Sequence, residues 1–154
     1  MTINRDISSL HPKFQGVAKR LQEYLIDAYE TGRTKTRFEL FEGFRDPVRQ
    51  GSMLAQGTSK AGLFQSAHQF GLAVDFVPHL SVEDAKLFNS VNKLFGDKAV
   101  KPGWSWHTLH DYQYLRLIAT TQFKLVLPVF SWDKCHIEHP DYPMIRSTMR
   151  KYFE

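Results

Sequence analysis

Two short stretches of this chain, far apart in sequence, demand a fold that joins them. Residues 66–75 read Ser-Ala-His-Gln-Phe-Gly-Leu-Ala-Val-Asp, and residues 133–136 read Asp-Lys-Cys-His. Together they supply two imidazoles (His68 and His136) and a carboxylate (Asp75), with a second carboxylate in Asp133. Three such donors can hold a divalent metal with one position left open, the ligand count of a catalytic zinc site; structural zinc sites are usually closed by four ligands rich in cysteine. Neither stretch decides the matter alone, because a surface histidine and a strand-end aspartate are spelled the same way.

Composition limits what can surround such a site. A chain of 154 residues, 42% of them hydrophobic, fits one domain with a single real core, and 12 Phe make that core aromatic-rich. The lone Cys135 rules out an internal disulfide framework and any cysteine-only metal site. No apolar run reaches the roughly 18 residues that span a bilayer. The polar start, Met1 to Asp6, lacks the apolar stretch of a signal peptide, so the expectation is a product made in the cytoplasm. The net charge of +4 is spread over scattered Lys and Arg, with no basic run interleaved with aromatics, which argues against a nucleic-acid partner.

Along the chain, apolar residues at helical spacing from Phe14 to Ala28 predict a helix over 12–29, with Pro12 in its first turn and Gly32 beyond its end. A strand is expected over 36–44. A short helix opens at Asp46-Pro47 and stops before Gly57, followed by a loop to Gln65. Residues 72–77 read as a strand closed by Pro78. Ser81 with Asp84 starts a helix whose apolar face is Ala85, Phe88, Val91 and Phe95. A turn-rich connection spans 96–103, and a further helix is expected over 106–121, with strand candidates at 123–129 and 135–138. The whole reads as one α+β domain, helices packed on a small antiparallel sheet. Trp104 and Trp106 read as flanking the cleft or filling the core, core being the preferred reading.

His68 and Asp75 are seven residues apart, too far for one helical turn, and converge only if the chain turns between them. Gly71 is the residue that can make that turn without strain. Asp133 precedes His136 by three residues, near enough across a turn to reach a water at the same metal and move its proton. Glu138 competes for that role; sharing a strand face with His136, it can instead orient that histidine. Cys135 alternates to the opposite face and reads as a small buried residue. His11 is a helix-start residue. His79, His107, His110 and His139 have no ligand spacing and read as solvated or satisfied.

The pattern Ser-x-His-x-x-Gly-x-Ala-x-Asp, followed by acidic-x-x-His, resembles the LAS-type zinc peptidases, which include D-alanyl-D-alanine peptidases and lysostaphin-like enzymes. Within that group it is most similar to the phage L-alanyl-D-glutamate endopeptidases, which are endolysins. Leu10-His11-Pro12, Gly43-Phe44-Arg45, Arg49-Gln50 and Gly57-Thr58-Ser59-Lys60-Ala61 extend the resemblance in the same order over roughly residues 10–140. The segment 123–130 departs from it, standing where the family has a Gly/Trp-rich stretch.

The resemblance implies that His68, Asp75 and His136 hold Zn2+ and that Asp133 is the general base. It implies that Arg45 meets a substrate carboxylate or polarises the scissile carbonyl, with Gln50 and Ser66 as supporting hydrogen-bonding groups. The implied activity is hydrolysis of the L-Ala–D-Glu bond of the peptidoglycan stem peptide, causing host lysis. The implied protein is a monomeric catalytic domain over 1–154, without a separate cell-wall-binding module or stable membrane insertion. Release would then depend on a separate membrane-permeabilising protein. Two other readings stay open: a D,D-carboxypeptidase or dipeptidase of the same superfamily, and a zinc-bearing binding domain without turnover.

Overall fold

The computed structural model describes residues 2–59, 61, 65–107, 110–128 and 133–150. Helix α1 (Pro12–Glu30) follows the predicted spacing. Phe14, Ala18, Leu21, Leu25 and Ala28 fall on one stripe and are all buried, where full burial of each large side chain contributes about 1.5–3 kcal/mol. His11 caps the helix, its Nδ1 accepting from the Lys13 N–H, and Pro12 fills the first turn.

The stripe packs on a sheet centred on β2 (Ala73–Leu80). β1 (Phe38–Glu42) lies antiparallel along one edge of β2, while β4 (His136–Glu138) and the two-residue β3 (Gly103–Trp104) share the other edge. Phe38, Leu40, Val74, Phe76 and Ile137 line the face covered by α1. A bulge between Leu40 and Glu42 breaks the alternation of β1 at Phe41. Such a bulge adds a residue to one strand and re-aims the side chains around it.

Pro78 does not close β2 as the sequence predicts. Its carbonyl accepts from the Ser105 N–H, and the N–H it lacks falls in the gap between β4, which pairs up to Asp75, and β3, which begins pairing at His79. Proline costs a strand only where the ladder needs its donor.

α2 (Pro47–Ala55) opens on the Asp46 cap, as expected. α3 (Val82–Phe95) is capped by Ser81, but its predicted apolar face is a misreading: Ala85 alone of the four is buried, while Val91 and Phe95 are exposed. Polar ties fix α3 instead. Asn89 and Asn92 bind the carbonyls of Val100 and Lys98, and Asp84 accepts from the Tyr29 hydroxyl.

α4 (Tyr112–Thr121) starts later than predicted, because Asp111 caps it through the Tyr114 N–H. The predicted helical residue Leu109 lies outside the described residues. Over 123–128 the predicted strand reduces to one bridge, Val126 to Glu138, after Lys124 turns through φ 56°. α5 (Tyr142–Arg150) was not expected from the sequence. No helix among the described residues is long and apolar enough to cross a membrane.

Candidate metal centre

His68 sits on a 3-10 turn (Ala67–Phe70) that Ser66 caps, its Oγ accepting from the His68 N–H at 3.3 Å. Gly71 ends the turn at φ 66°, and its carbonyl accepts from the His11 N–H at 3.0 Å. A Cβ on Gly71 would lie 2.5 Å from that His11 nitrogen. The predicted turn is therefore present, pressed against the start of α1. It swings His68 back over β2, where Asp75 stands in register with His136 of β4 on one side and Glu42 of β1 on the other. Residues opposed across an antiparallel ladder share a face, so three strands deliver their polar groups together.

The side chains converge. His68 Nε2 lies 3.2 Å from Asp75 Oδ1 and 3.2 Å from His136 Nδ1, and His136 Nδ1 lies 3.0 Å from the same Asp75 oxygen. Donors about 2.1 Å from a tetrahedral ion are about 3.4 Å apart, so the triangle is slightly tighter than a loaded site. His68 and His136 are 2% and 8% exposed.

The outer partners set which ring nitrogens face inward. His68 Nδ1 donates to the Gly43 carbonyl at 2.8 Å, which leaves the Nε2 lone pair aimed into the triangle. His136 Nε2 donates to Glu138 Oε1 at 2.9 Å, which leaves Nδ1 facing the same point. This pairing of a ligand imidazole with an outer carbonyl or carboxylate fixes tautomer and ring orientation in metal sites.

The charges agree with it. Burial opposes the Asp75 charge, but the facing imidazoles and their hydrogen bonds outweigh it and hold the carboxyl well below the usual carboxylate range. Burial also opposes the His136 charge, yet hydrogen bonds to Asp75 and Glu138 push that imidazole up to about 10. The cluster is thus built around one central positive charge, which a proton on His136 Nδ1 satisfies and a divalent cation would replace. The donor set fits zinc: two imidazoles and a carboxylate, the three protein ligands that in catalytic sites leave a fourth position for water.

A solved structure shares this fold. The crystal structure of a Serratia marcescens L-Ala D-Glu endopeptidase, ChiX, is similar to this chain with a TM-score of 0.54 over 90% of this chain and 86% of that one. Sequence identity is 18%, so the likeness is one of fold. No protein-family model matches the sequence, and neither does any curated protein.

Asp133 stands beside the triangle, Oδ2 3.9 Å from His136 Nδ1 and its side chain 33% exposed. Burial raises its pKa above the ordinary carboxylate value, with the nearby His136 working in the other direction. Arg45 is also at the site, buried rather than reaching outward. Its Nε donates to Glu42 Oε1 at 2.9 Å and its Nη1 to Gln50 Oε1 at 2.9 Å, while Nη2 lies 3.9 Å from Asp75 Oδ2. Gln50, fully buried, donates in turn to Ser59 Oγ and the Ala61 carbonyl; Lys60 between them lies outside the described residues.

Sequence reasoning missed Glu42, 1% exposed, which accepts from both Arg45 and Arg49. The available signal was its slot in β1, two residues beyond Leu40 and four beyond Phe38 in the every-second-residue run, where a carboxylate needs a partner. The remaining histidines described in detail are satisfied elsewhere. His79 faces Glu39 at 3.5 Å and Trp104, His139 Nδ1 caps α5 through the Asp141 N–H, and His110 pairs with Ser105. Cys135 is buried in the core cluster, outside the triangle.

Proposed function

We propose that the chain is a zinc-dependent peptidoglycan endopeptidase that hydrolyses the L-Ala–D-Glu bond of the stem peptide and acts as an endolysin. The observation that carries this reading is the convergence of His68 Nε2, Asp75 Oδ1 and His136 Nδ1 within 4.8 Å of one another, with the Asp133 carboxylate 3.9 Å from His136 Nδ1. The fold shared with an L-Ala D-Glu endopeptidase supports the substrate, and the motif resemblance supports the lytic role.

In this account His68, Asp75 and His136 would hold zinc, which when bound would supply a Lewis acid for the scissile carbonyl and the attacking water. Asp133 takes the proton of that water and returns it to the leaving amine of D-Glu, completing one hydrolysis with no net change in the carboxylate. Its partly open position admits the water, and its raised pKa brings its proton affinity closer to what proton return requires. Arg45 steadies Asp75 and directs positive charge at the carbonyl oxygen as it becomes anionic, Glu42 and Gln50 holding the guanidinium in place. Ser66 sets the pitch of the His68 turn. The working form is a monomer that reaches the wall after a separate protein permeabilises the membrane.

Two variants test the division of roles. Asp133→Ala is expected to retain bound zinc and lose about 10²- to 10⁴-fold in rate; His68→Ala is expected to lose both metal and activity. Zinc content by elemental analysis with wall-lysis assays reads both, and lytic Asp133→Ala or zinc-replete His68→Ala protein contradicts the assignment.

A further inference from the structure

A group of aromatic rings stands on the same sheet face as the His–Asp–His triangle. Asp75, Val77 and His79 alternate onto one face of β2, and Trp104 opposes His79 in register and shares that face. The β1 bulge adds Phe41, whose ring is 5.1 Å from Trp104 and 4.9 Å from Trp106, both edge-on. Trp104 packs against the core's edge, whereas Trp106 does not fill it. Trp104 is half-buried, and Trp106 is 56% exposed.

Arg5 lies across this shelf, its guanidinium carbon 5.0 Å from the Phe41 centroid and 4.9 Å from that of Trp104. No carboxylate among the described residues pairs with it. Two rings hold the planar cation while its N–H donors stay available. Arg5 also lines a cleft of about 520 Å³ with Asn4, Asp6, Phe44, Asp46 and Arg49, a ligand-sized space. Phe44 follows Gly43, whose carbonyl holds His68, so cleft and triangle are neighbours along the chain.

We propose that this shelf is a sugar subsite, which stacks on a pyranose of the glycan strand while Arg5 donates to the oxygens at its rim. The inference rests on the endopeptidase reading and extends it from the peptide to the sugar that carries it. A pyranose has a C–H face for Trp106 and an oxygen-rich edge for a fixed guanidinium, whereas an apolar side chain would leave the Arg5 donors unmatched.

Distance agrees. In peptidoglycan the L-Ala before the scissile bond is joined through a lactyl group to muramic acid, so the ring begins about 7–10 Å from that bond along an extended chain. Asp75 and His79 are four strand residues apart, which sets Trp104 roughly 13 Å from the triangle. One sugar ring beyond the lactyl group covers the difference.

The test compares two soluble substrates, a free L-Ala–γ-D-Glu–diamino acid peptide and the same peptide carrying the N-acetylglucosaminyl–N-acetylmuramyl disaccharide. Wild type is expected to show the lower KM for the sugar-bearing substrate. Trp106→Ala and Arg5→Ala should each raise that KM about 3- to 10-fold, the value of one aromatic contact, with kcat and the free-peptide KM within twofold of wild type. Equal KM values for the two substrates in wild type, or equal losses on both in the variants, overturn the sugar assignment.

Cleavage of neither substrate counts against the endopeptidase reading alone, because a second arm needs no turnover. Titration with the peptide-free disaccharide should shift tryptophan fluorescence in wild type, with half-saturation moved about 3- to 10-fold higher in Trp106→Ala. Absence of a wild-type shift at millimolar disaccharide overturns the subsite by itself.

Discussion

His136 shows how much of the candidate metal site would lie outside its ligands. Its ring would present Nδ1 to the ion only while Nε2 stays bound to Glu138, 2.9 Å away, and that carboxylate also helps to raise its basicity. Glu138→Ala is therefore expected to weaken zinc binding about 10- to 100-fold without unfolding the protein. Competition against a chelating dye measures it, and unchanged affinity removes Glu138 from the account.

His68, Asp75 and His136 were legible as a set because each lies in a short pattern whose residue types suit a divalent ion. Glu42 and the Gly43 carbonyl were not. Glu42 acts only through the arginines it binds, and a backbone carbonyl has no signature in side-chain spelling. Arg45 was legible as part of the site but not as a buried group, because its burial depends on Glu42 and Gln50 closing around it.

At the level of elements, periodicity served best where a helix packs one face on the sheet. α1 follows its predicted bounds on that ground; α2, with Gln50 buried, follows its bounds through its cap, and the capping residues His11, Asp46 and Ser81 are where the sequence puts them. It failed where polar ties replace packing. Val91 and Phe95 of α3 face outward because asparagines, not leucines, hold much of its inner side, and Pro78 continues β2 because its missing donor meets a gap.

The Gly71 turn is the element on which the site depends most. Its left-handed φ and the 2.5 Å approach to His11 leave no room for a side chain. Gly71→Ala should cost at least about 2 kcal/mol in denaturant unfolding, and a cost near zero would show that the turn can relax.

The loop before α4 carries a pH dependence of its own. His110, held 2.7 Å from Ser105 Oγ and stacked on Phe88, is pushed down to about 4, by burial first and His107 second. The unfolded chain takes up this proton near the ordinary value of about 6.5. Between those values the unfolded state binds more protons, so stability present above pH 6.5 is lost as pH falls toward 4. Denaturation midpoints at pH 7 and 4.5, with chelator throughout, should converge more closely in His110→Gln than in wild type. An unchanged gap assigns the acid loss to other groups.

For the molecule as a whole, α1 and the sheet core form a support whose opposite face carries the triangle, Asp133 beside it and the aromatic shelf farther along β2. On the proposed reading that arrangement would place peptide chemistry and sugar recognition on one surface, as a substrate with a short peptide on a glycan requires. The most direct test of the central claim is mass spectrometry of fragments released from peptidoglycan of defined stem peptide, with and without a chelator. The account predicts fragments with a new N-terminal D-Glu that disappear with chelator and return when zinc is added back. Release of D-Ala in their place, or D-Glu ends that form undiminished in chelator, would contradict it.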